Sequence, residues 1–189
     1  MPVLKRIYLA GPEVFLPDAM DVGRAKAEMA RAAGLEGLFP LDQQLPLDGL
    51  PRLEQARRIS LANEALMRSA DLLIANLTPF RGVSMDSGTA FEVGFMRALG
   101  RPVLGYTNVP GDYRRRAEAF RARGIPSADA DRTDVEIEDF GLAENLMIAV
   151  AILESGGSIV EGAAPPGREM ADLAAFGRVL EEARSLLLE

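Results

Sequence analysis

Uniformly apolar stretches alternate along this chain with stretches whose apolar residues recur every three or four positions. The first kind is typical of strands that are buried on both faces of a parallel sheet, and the second is typical of amphipathic helices. The predicted strands are residues 5–10, 38–40, 71–77 and 101–106, with a weak strand or a turn at 135–140. The predicted helices are residues 18–33, 52–68, 87–99, 113–123, 142–153 and 168–188. This alternation predicts an α/β fold with a mainly parallel sheet flanked by helices.

The 189 residues fit one domain with a substantial core. A short segment rich in Ala and Pro, residues 163–167, precedes the last predicted helix. We therefore expect residues 1–160 to form the main domain. We expect residues 161–189 to form a linker and a C-terminal helix that packs on the same domain or at an interface.

The formal net charge of −7 argues against a general nucleic-acid binder, because contacts to phosphates need a basic surface. Uncharged nucleosides and bases are not excluded by it. We find neither a signal-peptide pattern at the N-terminus nor an apolar run of membrane-spanning length. The expected location is the cytoplasm, with no membrane partner.

The chain has no His and no Cys, which restricts its chemistry more than any other compositional feature. Disulfides, thiolate nucleophiles, Ser-His-Asp triads and most zinc sites are excluded. Oxygen-ligated Mg²⁺ or Ca²⁺ stays possible, but no loop has the acidic spacing of a calcium site. Proton transfer and nucleophilic attack in an enzyme would have to come from carboxylates, Tyr, Ser, Thr or Lys.

Two carboxylates lie where the buried strand 71–77 leads through a polar loop into the helix that begins near residue 87. Glu92 falls within the first two turns, where the helix N-terminus can stabilise an anion. An ordinary first-turn Glu is the alternative. Asp86 precedes the helix and is either an N-cap or a residue that binds substrate or relays a proton. Both can face one cleft only if Asp86 lies in the loop.

The end of the first strand supplies further candidates, because ligands of parallel α/β sheets bind at the carboxyl ends of the strands. The Tyr8 hydroxyl could approach the carboxylate from the adjacent strand. Gly11 and Pro12 could let a flat ligand lie against the backbone, and Phe15 could offer a stacking face. The alternative for Tyr8 is a role as a core aromatic residue, and the alternative for Gly11 and Pro12 is a plain turn. The segment is neither a GxGxxG fingerprint nor a Walker loop, so dinucleotide or nucleoside triphosphate binding is not supported.

Two further segments have simpler interpretations. Met147 near the start of a predicted helix is expected to be a core residue. The run Arg114-Arg115-Arg116 is expected to be a solvated helix face.

Several motifs, in order along the chain, together resemble the nucleoside 2-deoxyribosyltransferase family. They are IYLAGP at residues 7–12, PLDQQ at 40–44, AD at 70–71 with ANL at 75–77, DSGTAFEVG at 86–94 and NLM at 145–147. The resemblance extends from about residue 6 to residue 150 and does not include the last helix.

The resemblance implies a flavodoxin-like fold with a five-stranded sheet, and exchange of purine or pyrimidine bases on 2′-deoxynucleosides. It implies that Glu92 is the nucleophile and that Tyr8 hydrogen-bonds it. Asp86 would contact the deoxyribose or the base and assist proton transfer. General chemistry agrees with these roles, because a carboxylate can trap C1′ as a covalent glycosyl-enzyme, and attack by a second base then gives net retention of configuration. It needs no metal or organic cofactor.

The same resemblance implies which residues bind substrate. Gln44 corresponds to the family's glutamine that contacts the base, and Asn63 to a substrate-binding helix position at which family members carry Asp or Asn. Asn145 and Met147 correspond to residues that come from a neighbouring subunit and close the site over the sugar. We therefore expect a homo-oligomer, a dimer or a hexamer, with sites shared between subunits.

Two alternatives stay open. One is an N-glycosidase of the same superfamily that cleaves deoxynucleosides or their 5′-monophosphates, although Glu13 after the first strand is expected to repel a phosphate. The other is a non-catalytic nucleoside-binding module, which would not need Glu92.

Overall fold

The five strands form one sheet that is parallel throughout and has the order β2-β1-β3-β4-β5. The computed structural model describes residues 4–125, 132 and 134–188. The strands are β1 (Arg6–Ala10), β2 (Glu36–Leu38), β3 (Leu72–Asn76), β4 (Val103–Thr107) and β5 (Ile159–Glu161). This order is that of the flavodoxin-like doubly wound fold, so the predicted fold class is confirmed.

Helices cover both faces of the sheet. The helices of the described residues are α1 (Ala19–Ala32), α2 (Arg52–Arg68), α3 (Ser87–Ala98), α4 (Tyr113–Ala122), α5 (Leu146–Glu154) and α6 (Ala174–Leu188). Two short 3₁₀ helices, Pro12–Phe15 and Pro40–Asp42, follow β1 and β2. The bounds of α2 agree with those predicted, since residues 52–68 have a continuous helical pattern.

Alternation along the buried strands separates the core into two halves, one on each face of the sheet. Ile7 and Leu9 of β1 pack with α1 and α6, whereas Tyr8 and Ala10 pack with residues of α3 and α5. A strand that is apolar on both faces can bury every side chain in this way. The large buried aliphatic side chains each contribute roughly 1.5–3 kcal/mol to the free energy of unfolding. The arrangement also directs Tyr8 toward the face on which α3 lies.

The C-terminal helix α6 lies against the sheet face that α1 also covers. Its buried residues share one helical stripe and are Ala175, Phe176, Val179, Leu180 and Ala183. The ring of Phe176 meets the ring of Tyr106 in β4 edge-on, with 5.9 Å between the centroids. Residues beyond the last predicted motif therefore contribute to the core.

The structure corrects several predicted elements. Residues 135–140 form no strand, and the fifth strand is instead Ile159–Glu161, which the sequence pattern did not predict. The second strand ends at Leu38, because Pro40 begins a 3₁₀ helix. Helix α5 begins at Leu146 instead of 142, since the Asn145 side chain caps it, and α6 begins at Ala174 instead of 168.

Candidate active site

A cavity of about 550 Å³ lies at the carboxyl edge of the sheet, bordered by the segments that follow β1, β2 and β3. Parallel α/β sheets bind ligands at this edge. Among the predicted site residues, those that line it are Gly11, Phe15, Gln44, Asn63, Asp86 and Glu92. The structure thus brings together residues from four separate segments of the sequence.

Glu92, which lines the cavity, forms a hydrogen-bonded pair with Tyr8, which lies behind it and does not line the cavity. The Tyr8 hydroxyl donates to Oε1 of Glu92 at 2.5 Å, and Tyr8 is fully buried. Burial raises the pKa of Glu92 to about 7, the hydrogen bond from Tyr8 lowers it, and the negative charge of Asp86 raises it. Burial and the charge of Glu92 raise the pKa of the Tyr8 hydroxyl, so it stays a donor. The pair therefore offers an oriented carboxylate that is poised between its two protonation states near neutral pH.

Asp86 is the N-cap of α3 and also lines the cavity. Its Oδ2 accepts the backbone N–H of Thr89 at 3.0 Å, which satisfies one of the free donors of the first turn. The N-cap interpretation is correct, and it does not remove Asp86 from the cavity wall. The cap aligns the first turns of α3, which carry Glu92.

Gly11 is required by internal packing. A Cβ atom at this position would lie 1.9 Å from Oε2 of Glu13 and 2.9 Å from Cβ of Asn76. Pro12 follows as the first residue of the 3₁₀ helix and does not itself line the cavity. Gly11 therefore presents bare backbone to the cavity because a buried carboxylate occupies the space behind it.

Phe15 lies at the cavity wall with 53% of its surface exposed. Its ring stacks on that of Phe80, with centroids 5.5 Å apart and an angle of 10° between the planes. The Arg81 guanidinium lies 4.9 Å from the Phe15 centroid and 4.5 Å from the Phe80 centroid. These contacts join the segments after β1 and β3 and leave part of the Phe15 ring available to a ligand.

Glu13 does not face the cavity, so the expectation that it would repel a phosphate is wrong. Its carboxylate is 1% exposed and forms an ion pair with the buried Lys26. It also accepts from the Tyr106 hydroxyl at 2.8 Å and from Nδ2 of Asn76 at 2.9 Å. Burial and the negative charge of Glu13 raise the pKa of Tyr106. Three neighbours therefore hold this carboxylate inside the protein, beneath Gly11.

Three amide side chains line the part of the cavity that lies away from β1. Gln44 and Asn63 were predicted, and the structure adds Gln43, whose Nε2 donates to Oδ1 of Asn63 at 3.3 Å. The PLDQQ motif carried both glutamines, so its first Gln was a detectable candidate. Apolar side chains form the remaining wall, and they include Leu41, Leu45, Leu47 and Ile59.

Asn145 and Met147 lie outside this cavity. The Oδ1 atom of Asn145 caps α5 by accepting the Met147 N–H at 3.0 Å, while its Nδ2 donates to Glu138 at 2.5 Å. Met147 is 72% exposed, so its interpretation as a core residue is wrong. Within one chain the structure does not bring either residue to Glu92.

Charged residues beneath the surface were the main features that the sequence pattern missed. Lys26 lies on the buried face of α1, four residues from both Val22 and Ala30, and that spacing was a detectable signal. Arg114 and Arg115 are exposed as expected, but Arg116 is only 13% exposed in its side chain and lies beside the buried Glu144.

The described part of the chain contains no group of three or more acidic side chains arranged to hold a metal ion. Within the same residues, no Lys or Arg lines the cavity. No described helix combines the length and the apolar character that crossing a membrane requires.

A sequence model of the family described as nucleoside 2-deoxyribosyltransferase matches residues 7–147. An uncharacterized protein of Schizosaccharomyces pombe is 32% identical over 169 residues, which cover 81% of this chain and 79% of that protein.

Two solved structures resemble the whole chain. A 2-desoxiribosyltransferase from Leishmania mexicana is 26% identical with a TM-score of 0.58, covering 94% of this chain and 97% of that one. A conserved protein from Enterococcus faecalis has a TM-score of 0.60 over 96% of this chain and 99% of its own, at 19% identity. The second similarity supports the fold alone.

Proposed function

This chain belongs to the nucleoside 2-deoxyribosyltransferase family, and from that premise we propose that it exchanges nucleobases on 2′-deoxynucleosides through a covalent intermediate on Glu92. The observation that carries the proposal is the pairing of Glu92 with the buried Tyr8 hydroxyl at 2.5 Å, at the edge of a cavity. The Leishmania relative, which covers nearly the whole chain, is described as a transferase of this kind.

In the proposed reaction an oxygen of Glu92 bonds to C1′ while the bond from C1′ to the base nitrogen breaks. The electron pair leaves with the base, which takes up a proton, and Asp86, which also lines the cavity, is the candidate to relay that proton from solvent to the base. The acceptor base then attacks C1′ from the freed face, releases Glu92 and loses its own proton. Two displacements give retention of configuration.

The cavity supports a nucleoside-sized substrate. Its volume of about 550 Å³ lies within the range of small-molecule sites. The amides of Gln43, Gln44 and Asn63 can donate to and accept from the edge of a base, and the leucines around them suit its flat apolar faces. This donor and acceptor set is compatible with both purines and pyrimidines.

The rival function is hydrolysis of 5′-monophosphates. The buried Glu13 gives no argument against it, but the lining of the cavity does. No described Lys or Arg lines the cavity, whereas the carboxyls of Asp86 and Glu92 do. A phosphate dianion would lose hydration among these lining residues, and the Arg81 guanidinium beside the cavity wall is already stacked on the rings of Phe15 and Phe80. We therefore propose uncharged deoxynucleosides as the substrates.

We also propose a homo-oligomer in which Asn145 and Met147 complete a neighbour's site. Met147 is 72% exposed, and Phe91 of α3 is 56% exposed. Both are large apolar side chains on helices that cover the same face of the sheet. If the proposal holds, dilution to the monomer should abolish activity, which sedimentation at matched concentrations would check. A fully active monomer would contradict it.

Exchange assays test the central proposal directly. A deoxynucleoside incubated with a different free base should yield the exchanged nucleoside, and mass spectrometry should detect a deoxyribosyl adduct on a peptide containing Glu92. Base release that is independent of the acceptor, without exchanged product, would favour the hydrolase. Glu92→Ala should abolish the exchange, whereas the control Glu154→Gln, which changes an exposed carboxylate on α5, should not. A folded Glu92→Ala variant with full turnover would favour the non-catalytic role for this position.

A further inference from the structure

A carboxylate outside the cavity holds the loop that leads to Asp86. Glu144 has no exposed surface. Its Oε1 accepts from the Ser84 hydroxyl at 2.7 Å and from the N–H of Asn145 at 2.8 Å, and its Oε2 accepts from the N–H of Met85 at 3.0 Å. One buried side chain therefore fixes two backbone segments that are about sixty residues apart in sequence.

Arg116 completes this arrangement from α4. Its guanidinium lies 3.7 Å from Oε2 of Glu144. It donates to the carbonyl oxygens of Val83 at 3.1 Å, Gly111 at 2.6 Å and Ala143 at 2.5 Å. The pair of Arg116 and Glu144 thus connects three backbone segments, which are the loop after β3, the loop after β4 and the residues just before α5. Because the pair is mostly withdrawn from water, loss of either partner leaves the other without compensation.

The positions of the bonded residues connect this pair to the chemistry. Met85 immediately precedes Asp86, whose side chain caps α3 and whose charge acts on Glu92. On the other side, Glu144 immediately precedes Asn145. We propose that Glu144 is a positioning residue, whose buried carboxylate sets the place of Asp86 and Glu92 in the cavity and simultaneously fixes Asn145. The inference rests on the proposed function, since it assigns Glu144 to that same site.

A glutamine cannot reproduce these contacts. In either orientation of its amide, the NH₂ group would face a backbone N–H, that of Asn145 on one side or that of Met85 on the other. At least one of these hydrogen bonds is lost, and Arg116 loses its counter-charge. Displacements of about 1 Å in a catalytic constellation can lower rates by about a hundredfold.

The chain offers a matched control. Glu138 accepts from Nδ2 of Asn145 at 2.5 Å and from the N–H of Leu146 at 2.9 Å, so it supports the same helix start. Neither of these two partners lies in the loop before Asp86. Glu138→Gln therefore perturbs the entry to α5 and leaves the Glu144 contacts with Ser84 and Met85 in place.

The first experiment compares the two variants in the exchange reaction. Glu144→Gln should lower kcat by about tenfold to a hundredfold while the KM for the deoxynucleoside changes by less than about threefold. Glu138→Gln should lower kcat less than Glu144→Gln does, because it disturbs Asn145 and leaves the loop before Asp86 in place. Equal losses of kcat in both variants, in parallel with their melting temperatures, would identify a general structural role and overturn the proposal.

The second experiment does not depend on activity. Hydrogen–deuterium exchange of peptides covering residues 80–90 should be faster in Glu144→Gln than in the wild type, and unchanged in Glu138→Gln. Unchanged protection of this loop in Glu144→Gln would overturn the proposal, and so would faster exchange with an unaltered kcat. If the wild type shows no base exchange, the proposed function fails, while the hydrogen-exchange comparison still tests the fixing of the loop.

A variant that removes a single hydrogen bond tests the proposal if Glu144→Gln does not fold. Ser84→Ala removes one hydrogen bond between the loop and Glu144 and leaves the pair with Arg116 intact. It should lower kcat by about threefold to tenfold at unchanged KM. A kcat equal to that of the wild type would overturn the proposal.

Discussion

Replacing Glu92 by Gln should stabilise the folded protein above pH 7 while it removes the proposed nucleophile. The folded structure raises the pKa of this carboxyl from 4.5 to about 7. Between these pH values the folded chain keeps a proton that the unfolded chain has released, so the free energy of unfolding falls as the pH rises. At about 1.4 kcal/mol per pKa unit, the loss is complete above pH 7 and amounts to about 3 kcal/mol.

The glutamine avoids this cost because it carries no charge at any pH. Its Oε1 can still accept from the Tyr8 hydroxyl, which now donates to Glu92 at 2.5 Å. Partial contact of Glu92 with solvent at the cavity reduces the gain, so we expect about 2 kcal/mol at pH 8.5 and less than about 1 kcal/mol at pH 5.

Urea unfolding of the wild type and of Glu92→Gln at both pH values would measure this difference, with similar m-values as the check on two-state behaviour. Glu154→Gln, on the exposed side of α5, serves as the control and should follow the wild type at each pH. If the stabilities of the wild type and Glu92→Gln change in parallel between pH 5 and pH 8.5, the raised pKa of the Glu92 carboxyl is refuted.

Other substitutions test the surroundings of this carboxylate. Because the hydrogen bond from Tyr8 lowers the pKa of Glu92, Tyr8→Phe should move the acidic limb of the rate–pH profile to higher pH and lower kcat/KM below pH 7 by about tenfold; an unmoved limb would contradict this. Gly11→Ala should lower the free energy of unfolding by about 1–3 kcal/mol in urea titrations, since the new Cβ would lie 1.9 Å from a Glu13 oxygen. A variant as stable as the wild type would show that the loop yields freely. Lys26→Met should destabilise the protein by about 3–5 kcal/mol by leaving Glu13 buried without a cation. Adding Glu13→Gln should recover part of the lost melting temperature, and no recovery would refute the assigned pairing.

The fold was largely predictable because its signals are local. The strand 72–76 is buried on both faces, and the apolar run Leu72–Ala75 before Asn76 is short enough to favour a buried strand. β5 escaped prediction because three residues, Ile159–Glu161, carry too little pattern. Its place is set by pairing, with Ile159 opposite Gly105 and Glu161 opposite Thr107. Such short edge strands depend on the rest of the sheet for their existence.

The candidate site also contains residues that the sequence predicted and residues whose environment it did not predict. Motif spacing and resemblance directed attention to Tyr8, Asp86 and Glu92, and the structure brings the first and last of these within hydrogen-bonding distance. The same reasoning assigned Glu13 to the ligand side and gave no role to Glu144, yet both are buried. Whether a carboxylate is buried depends on which cation the fold brings to it, and neither Lys26 nor Arg116 is a sequence neighbour of its partner.

The absence of His from the chain has a practical consequence for studying the raised pKa of Glu92. In most proteins imidazole groups release protons around neutrality and hide the titration of a single carboxyl. Here, among the described side chains with a perturbed pKa, Glu92 is the one that titrates near pH 7. The number of protons taken up or released on ligand binding, measured at pH 6 to 7, would therefore report mainly the change in protonation of Glu92. Infrared difference spectra of the carboxyl band would report the same protonation, so the charge of Glu92 can be followed without an added probe.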